Sequence, residues 1–152
     1  MVVRRQRHRC IRDSYLAKEL PDIDIHVFTN GLAVAIELAK KKNMKVTMLG
    51  GQVMPENLST SSPSAKMYFE NTNFELAIIS ASAFTPEDGF SCGSQVEADL
   101  LILARKKARS VYMMLDSSTI GKIMPYTFAH LEDHNVLIPD DGFTPELQAK
   151  FA

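Results

Sequence analysis

The sequence lacks the long apolar stretch that a membrane span needs. Its apolar runs, such as those at 76–79, 100–104 and 111–115, fall far short of the ~20 residues that cross a bilayer. No apolar stretch follows its basic start, so no secretory signal is read. It is also poor in cysteine. Cys10 and Cys92 are too few for a disulfide framework or for the four ligands of a structural zinc site, and a reduced, cytoplasmic protein is expected. Net charge is nearly absent, with 17 Lys+Arg against 18 Asp+Glu. The nucleotide and hydrolase signatures are missing too: no Walker A loop, no GxGxxG fingerprint, no GxSxG elbow. Of the four histidines (His8, His26, His130, His134), His130 and His134 stand at i, i+4. Leu131, Glu132 and Asp133 between them do not make the H-E-x-x-H zinc pattern, so both are read as solvated residues on a short helix. Cys92 lies near Gly89 and Gly93 with no local base to activate it, and reads as a buried small hydrophobe. Neither a metal nor a cofactor is expected.

What is present is an ordinary globular chain of 152 residues, 45% hydrophobic and 23% charged, long enough for one domain with a sizeable core. One segment departs from the average. Arg4, Arg5, Arg7, Arg9 and Arg12 are five of seven arginines, and no acidic residue precedes Asp13. Beyond residue 12 the balance is 12 basic to 18 acidic residues, a net −6, which repels nucleic acid. The basic start reads as a nucleic-acid-binding arm, a targeting peptide or a segment foreign to the fold.

Residues 13–20 predict a short helix stopped by Pro21, which cannot continue the hydrogen-bond ladder. An apolar run at 25–28 ends at Thr29-Asn30-Gly31. Residues 32–41 predict a helix with Leu32, Ala35, Ile36 and Ala39 on one face, and Lys40, Lys41 and Lys42 at its C-terminal end. Residues 45–49 read as a strand ended by Gly50-Gly51, 59–64 as a Ser/Thr/Pro loop, and 65–70 as a helix. The runs 76–79 and 111–115 read as buried strands, and 135–138 as a last short one. Thr85-Pro86-Glu87-Asp88-Gly89 fits a tight turn. The longest predicted helix spans 94–107, opened by a capping box of Ser94 and Glu97. Pro145 starts a closing helix over 144–151. Strands alternating with helices predict an α/β fold: an open, mostly parallel, doubly wound sheet in three layers.

The small and hydroxylic residues follow the strands: Thr29-Asn30-Gly31, Gly50-Gly51, Ser80-Ala81-Ser82 and Asp116-Ser117-Ser118. In an open parallel sheet that is the edge where ligands bind. Small residues admit a ligand to the backbone, and hydroxyls with helix-start N–H groups accept anions without Lys or Arg. A phosphorylated or carboxylated small molecule would suit such a rim if the four stretches converge. Turn chemistry alone would also place Gly, Ser and Asn in these loops.

Taken in order, Ile25-His26-Val27-Phe28-Thr29-Asn30, Met48-Leu49-Gly50-Gly51, Asp88-Gly89 with Glu97-Ala98, Leu115-Asp116-Ser117-Ser118 with Gly121, and Leu137-Ile138-Pro139-Asp140-Asp141 resemble the effector-sensing domain of DeoR-type sugar-metabolism repressors over residues 14–151. The resemblance implies a fold similar to ribose-5-phosphate isomerase and sugar-phosphate deaminases. It also implies a pocket for a phosphorylated sugar or similar small anionic effector, and control of DNA affinity through an N-terminal helix-turn-helix. Expected ligand contacts are Thr29, Asn30, Gly50, Gly51, Ser82, Glu97 and Ser117.

The chain departs from the family pattern at several places. No helix-turn-helix sequence is present, so DNA is expected as a partner only through a module missing from these residues. The family's first strand and its Asp-x-Gly-Thr-Thr loop should precede the helix at 15–20, where Cys10-Ile11-Arg12-Asp13-Ser14 stands instead. Residues 1–13 are therefore expected to be a misread or frame-shifted start on a truncated gene, with 14–152 the sensing domain. Ser80-Ala81-Ser82-Ala83 replaces Gly-Ala-Asp-Gly, and Leu101 and Thr119 replace two lysines. Losing an acid and two cations removes groups that could move protons, so no enzyme activity is expected. The rival expectation is a sugar-phosphate isomerase or deaminase; a third is a remnant that binds nothing. Loss of a strand leaves an open edge, and a homo-oligomer is expected.

Overall fold

A computed structural model describes residues 13–55, 57–133 and 135–137, with positions 145 and 149. The expected closing helix and the stretch from Pro139 to Gly142 otherwise lie outside the described residues, as does the basic start. The fold is α/β. The chain divides into two compact units, Met1–Ala65 and Lys66–Ala152.

The first described element of the first unit is helix α1, residues 13–19, ended by Pro21. Strand β1 (His26–Thr29), helix α2 (Leu32–Ala39) and strand β2 (Lys45–Met48) follow. β1 and β2 pair in parallel, Val27 opposite Val46 and Thr29 opposite Met48, as a connection of helix length requires. Ala17 of α1, Leu38 of α2 and Met44 form the buried centre, with Leu20, Val27, Val34 and Val46 against it. The face expected on α2 is corrected here: Val34 and Leu38 point inward while Ile36 is 61% exposed. Seven of the eight residues LAVAIELA are apolar, so periodicity alone leaves the inward stripe undecided.

One of the lysines after α2 serves the neighbouring helix. Lys41 Nζ donates to the carbonyls of Lys18 and Leu20 at 3.0 and 2.6 Å, groups left open at the end of α1. The Asp22 carboxylate accepts from the N–H groups of Lys42 and Asn43 at 3.1 and 2.9 Å. Beyond β2, β3 (Gln52–Met54) and β4 (Ser59–Ser61) form an antiparallel hairpin. The Ser/Thr-rich stretch expected as loop is therefore partly strand, because β3 supplies backbone partners that composition does not announce.

The second unit begins near helix α3 (Ala65–Glu70). Strands β5 (Phe74–Ser80), β8 (Ala108–Met114) and β10 (Asn135–Leu137) make a parallel sheet with β8 in the centre. Helix α4 (Gln95–Lys107) starts as the sequence predicts, with Ser94 Oγ accepting from Glu97 N–H at 3.2 Å. Its Ala98, Leu101, Ile102 and Ala104 pack with Ala77, Ile79, Val111 and Met113 of the sheet.

A second sheet was not legible in advance. β6 (Ala83–Thr85), β7 (Gly89–Cys92) and β9 (Tyr126–Ala129) pair antiparallel, with β7 in the centre. The expected tight turn becomes the β6–β7 hairpin loop, where Thr85 Oγ1 donates to Asp88 Oδ2 and accepts from Asp88 N–H, both at 2.9 Å. Gly89 takes φ +79°, and a Cβ there would lie 2.3 Å from the carbonyl oxygen of Ala129. Phe84 and Phe90 are fully buried with ring centroids 4.6 Å apart, each contributing about 1.5–3 kcal/mol by burial. Arg105 Nη1 donates to Phe128 O at 2.9 Å, tying α4 to β9.

Candidate functional site

In the first unit the ends of β1 and β2 lie side by side, and Leu49 N–H donates to Thr29 O at 2.8 Å. Thr29 Oγ1 accepts from Gly31 N–H at 3.1 Å, turning the chain into α2. Asn30 is held on β4: its Nδ2 donates to Thr60 O at 3.3 Å, and its own carbonyl accepts from Thr60 N–H at 2.8 Å. The Thr60 hydroxyl, buried, donates to Leu49 O. Leu58, at φ 48°, offers its carbonyl to Leu32 N–H at 2.8 Å. One network thus fixes Thr29, Asn30 and the Leu49–Gly51 turn. Thr60 is one residue that sequence reasoning missed, because its place depends on the β3–β4 hairpin.

The two glycines of that turn differ. Gly51 has φ +130°, and a Cβ would sit 2.3 Å from Ser61 O. A Cβ on Gly50 would meet nothing within 4 Å, and Gly50 is exposed. Gly51 therefore serves the fold, while Gly50 leaves backbone open to approach.

In the second unit the loops after β5 and β8 are also neighbours. Ala81 N–H donates to Met114 O at 3.4 Å, and Ser82 N–H to Ser91 O at 3.2 Å. Ser91, fully buried, accepts from Met124 N–H at 2.9 Å through its hydroxyl. Asp116 organises the following turn: its Oδ1 accepts from the Ser118 hydroxyl, and its carbonyl from Thr119 N–H at 3.1 Å and Thr119 Oγ1 at 2.8 Å. Ser117 is the half-buried first residue of the short 3-10 turn Ser117–Thr119. Thr119 stands where the resemblance implies a lysine, and Lys122 puts its ammonium on Ser118 O. A cation therefore stands at this loop, and the tight turn at Gly121 (φ +80°) is the only local hint of it. Glu97 is half-buried in the first turn of α4.

Each unit accordingly brings together one pair of the expected stretches: Thr29-Asn30-Gly31 with Gly50-Gly51, and Ser80-Ala81-Ser82 with Asp116-Ser117-Ser118. Both pairs stand at the C-terminal ends of adjacent parallel strands, the ligand edge of such sheets. Cys92 is buried, its Sγ directed to Ser94 O at 3.5 Å, a packing role as expected. His130 is exposed ahead of a single 3-10 turn, Leu131–Asp133, and His134 lies outside the described residues. Among the described residues no group of three or more His, Cys, Asp or Glu could hold a metal ion. No helix among them is long and apolar enough to cross a membrane.

Residues 13–141 match the family model described as the DeoR C terminal sensor domain. The chain belongs to that family. It is 33% identical over 131 residues to the uncharacterized HTH-type transcriptional regulator YulB of Bacillus subtilis, covering 86% of this chain and 51% of the relative. It is 31% identical over 137 residues to the HTH-type transcriptional regulator GolR of Listeria innocua, covering 90% and 54%. It is 25% identical over 127 residues to the L-fucose operon activator of Escherichia coli, covering 84% and 52%. The chain spans about half the length of these curated relatives.

Proposed function

We propose that this domain senses a phosphorylated sugar or a related small anion in a cytoplasmic transcriptional regulator of sugar metabolism, with Thr29, Asn30, Gly50, Gly51, Ser82, Glu97 and Ser117 as contacts. One observation carries the reading: in each unit, adjacent parallel strands end in small or hydroxyl-bearing residues held by hydrogen bonds. Exposed Gly50 lets an anion reach the backbone, and Lys122 adds a positive charge beside Ser117 and Ser118. The names of the relatives support a regulator, and that of the L-fucose operon activator a sugar operon.

Turnover is not part of this reading. Leu101, in place of a lysine, packs into the core beneath α4, and Ser80 to Ala83 carry no acid. The effector acts on DNA only through a helix-turn-helix, so these residues alone should give no sequence-specific gel shift.

A thermal-shift panel of sugar phosphates tests the proposal. A ligand at 100 times its Kd should stabilise the protein by about 2.7 kcal/mol, and Asn30→Ala or Ser117→Ala should remove that gain. A flat response to the whole panel contradicts sensing. Turnover of ribose 5-phosphate or glucosamine 6-phosphate, lost in Glu97→Gln, would establish an enzyme instead.

A further inference from the structure

Gly50 stands between two neighbours that are each held in place. Before it, Leu49 is buried, and its N–H donates to Thr29 O at 2.8 Å. After it, Gly51 is pressed against β4 at φ +130°, where a Cβ would lie 2.3 Å from Ser61 O. Gly50 itself is exposed, and among the described residues no acceptor takes its N–H.

The direction of that N–H is set by the carbonyl of the same peptide. Leu49 O accepts from the Thr60 hydroxyl, which has one proton to give. Asn30 O lies 3.4 Å from the same hydroxyl but already accepts from Thr60 N–H at 2.8 Å. The Leu49–Gly50 peptide is trans and planar, so its C=O and N–H point opposite ways. Turning the carbonyl toward β4 therefore turns the Gly50 N–H away from it. Thr60 is fixed in turn, because its N–H and its carbonyl are both bonded to Asn30.

We infer that Thr60 is a positioning residue for the anionic group of the effector: through Leu49 O it aims the Gly50 N–H outward as a donor, ordered before the ligand arrives. The inference rests on the first unit's rim taking the anion. Glycine loses more conformational freedom on ordering than any other residue, so an unclamped Gly50 would lose much of what a hydrogen bond to an anion contributes. Fixing Leu49 and Gly51 removes that cost in advance. Valine at position 60 has nearly the same shape and suits a strand, yet it leaves Leu49 O without its donor and the Leu49–Gly50 peptide free to turn. Serine keeps the hydroxyl.

The test is NMR of the isotope-labelled full chain, with inorganic phosphate as the probe. In the free protein the Gly50 N–H should exchange rapidly with water while the Leu49 N–H is protected, and phosphate should saturably shift the Gly50 amide. Thr60→Val should move the Leu49 carbonyl carbon upfield and weaken the Gly50 response about tenfold, the loss expected for one charge-assisted hydrogen bond. Thr60→Ser should keep both near wild type, which a role in packing alone does not require. A protected Gly50 N–H in the free wild type overturns the proposal even where Thr60→Val does not fold. A Leu49 carbonyl or a phosphate response unchanged in a folded Thr60→Val overturns it too. If sugar phosphates stabilise the wild type while its Gly50 amide stays unmoved, the positioning role alone falls; if the whole panel is flat, the sensing role falls with it.

Discussion

Among the described residues, a parallel pair and two helices of the first unit close over a buried cluster of Ala17, Leu38 and Met44, whereas in the second a ten-residue cluster from Ile79 to Ala129 fills the space beneath α4. The antiparallel sheet β6-β7-β9 makes the difference, since it contributes Phe84, Phe90, Cys92 and Phe128. The first unit's hairpin contributes the hydroxyl of Thr60. Hydrogen bonds to main-chain carbonyls hold the strand ends of both units, and in the second unit a larger apolar cluster packs behind them. The two rims carry similar chemistry on supports of different kind and should fail to different insults.

The largest effect is expected from Phe84→Ala, which opens a cavity where exposure is zero and should cost about 3–5 kcal/mol, read by denaturant unfolding. Leu38→Ala should cost less, at the lower end of the ~2–5 kcal/mol range. A reversal of that order would break the contrast between the two cores. Next comes Gly51→Ala, which drives a Cβ toward Ser61 O at a positive φ and should cost on the order of 1–3 kcal/mol. Gly50→Ala, with open space around it, should leave the melting temperature unchanged while weakening effector binding, which separates support from contact within one turn. The smallest effect belongs to Glu37 on α2. Its hydrogen bond to Lys40 holds the carboxyl below the usual value, so the pair stabilises the fold above the unfolded carboxyl range and that contribution fades as pH falls through the lowered value. A carboxyl NMR titration should show the depression in the wild type and its loss in Lys40→Met.

Legibility in the sequence followed length and locality. Helix α4 announced itself through Ser94, Glu97 and thirteen residues of pattern, and β5 and β8 through continuous apolar runs of strand length, although Leu76 and Ile78 on one face of β5 are 49% and 40% exposed rather than buried as expected. The strands β3, β4, β6, β7 and β9 are three or four residues each, and all but β3 hold small or hydroxylic residues. Their extended state is set by partners distant in sequence, as when Gly31 bridges Ser59, and no local window contains that information. The rim was legible as residues following strands, and the neighbours within each pair follow from parallel pairing. Thr60 and Lys122 were not, because their positions depend on a hairpin and a turn that only tertiary contacts define.

The most direct measurement is a backbone amide NMR titration of the chain with sugar phosphates. One of them should saturably shift the amides of Thr29 to Gly31, Gly50, Gly51, Ser82 and Ser117. Shifts confined to residues away from the strand ends, or none with any sugar phosphate, would contradict a sensing role for these rims.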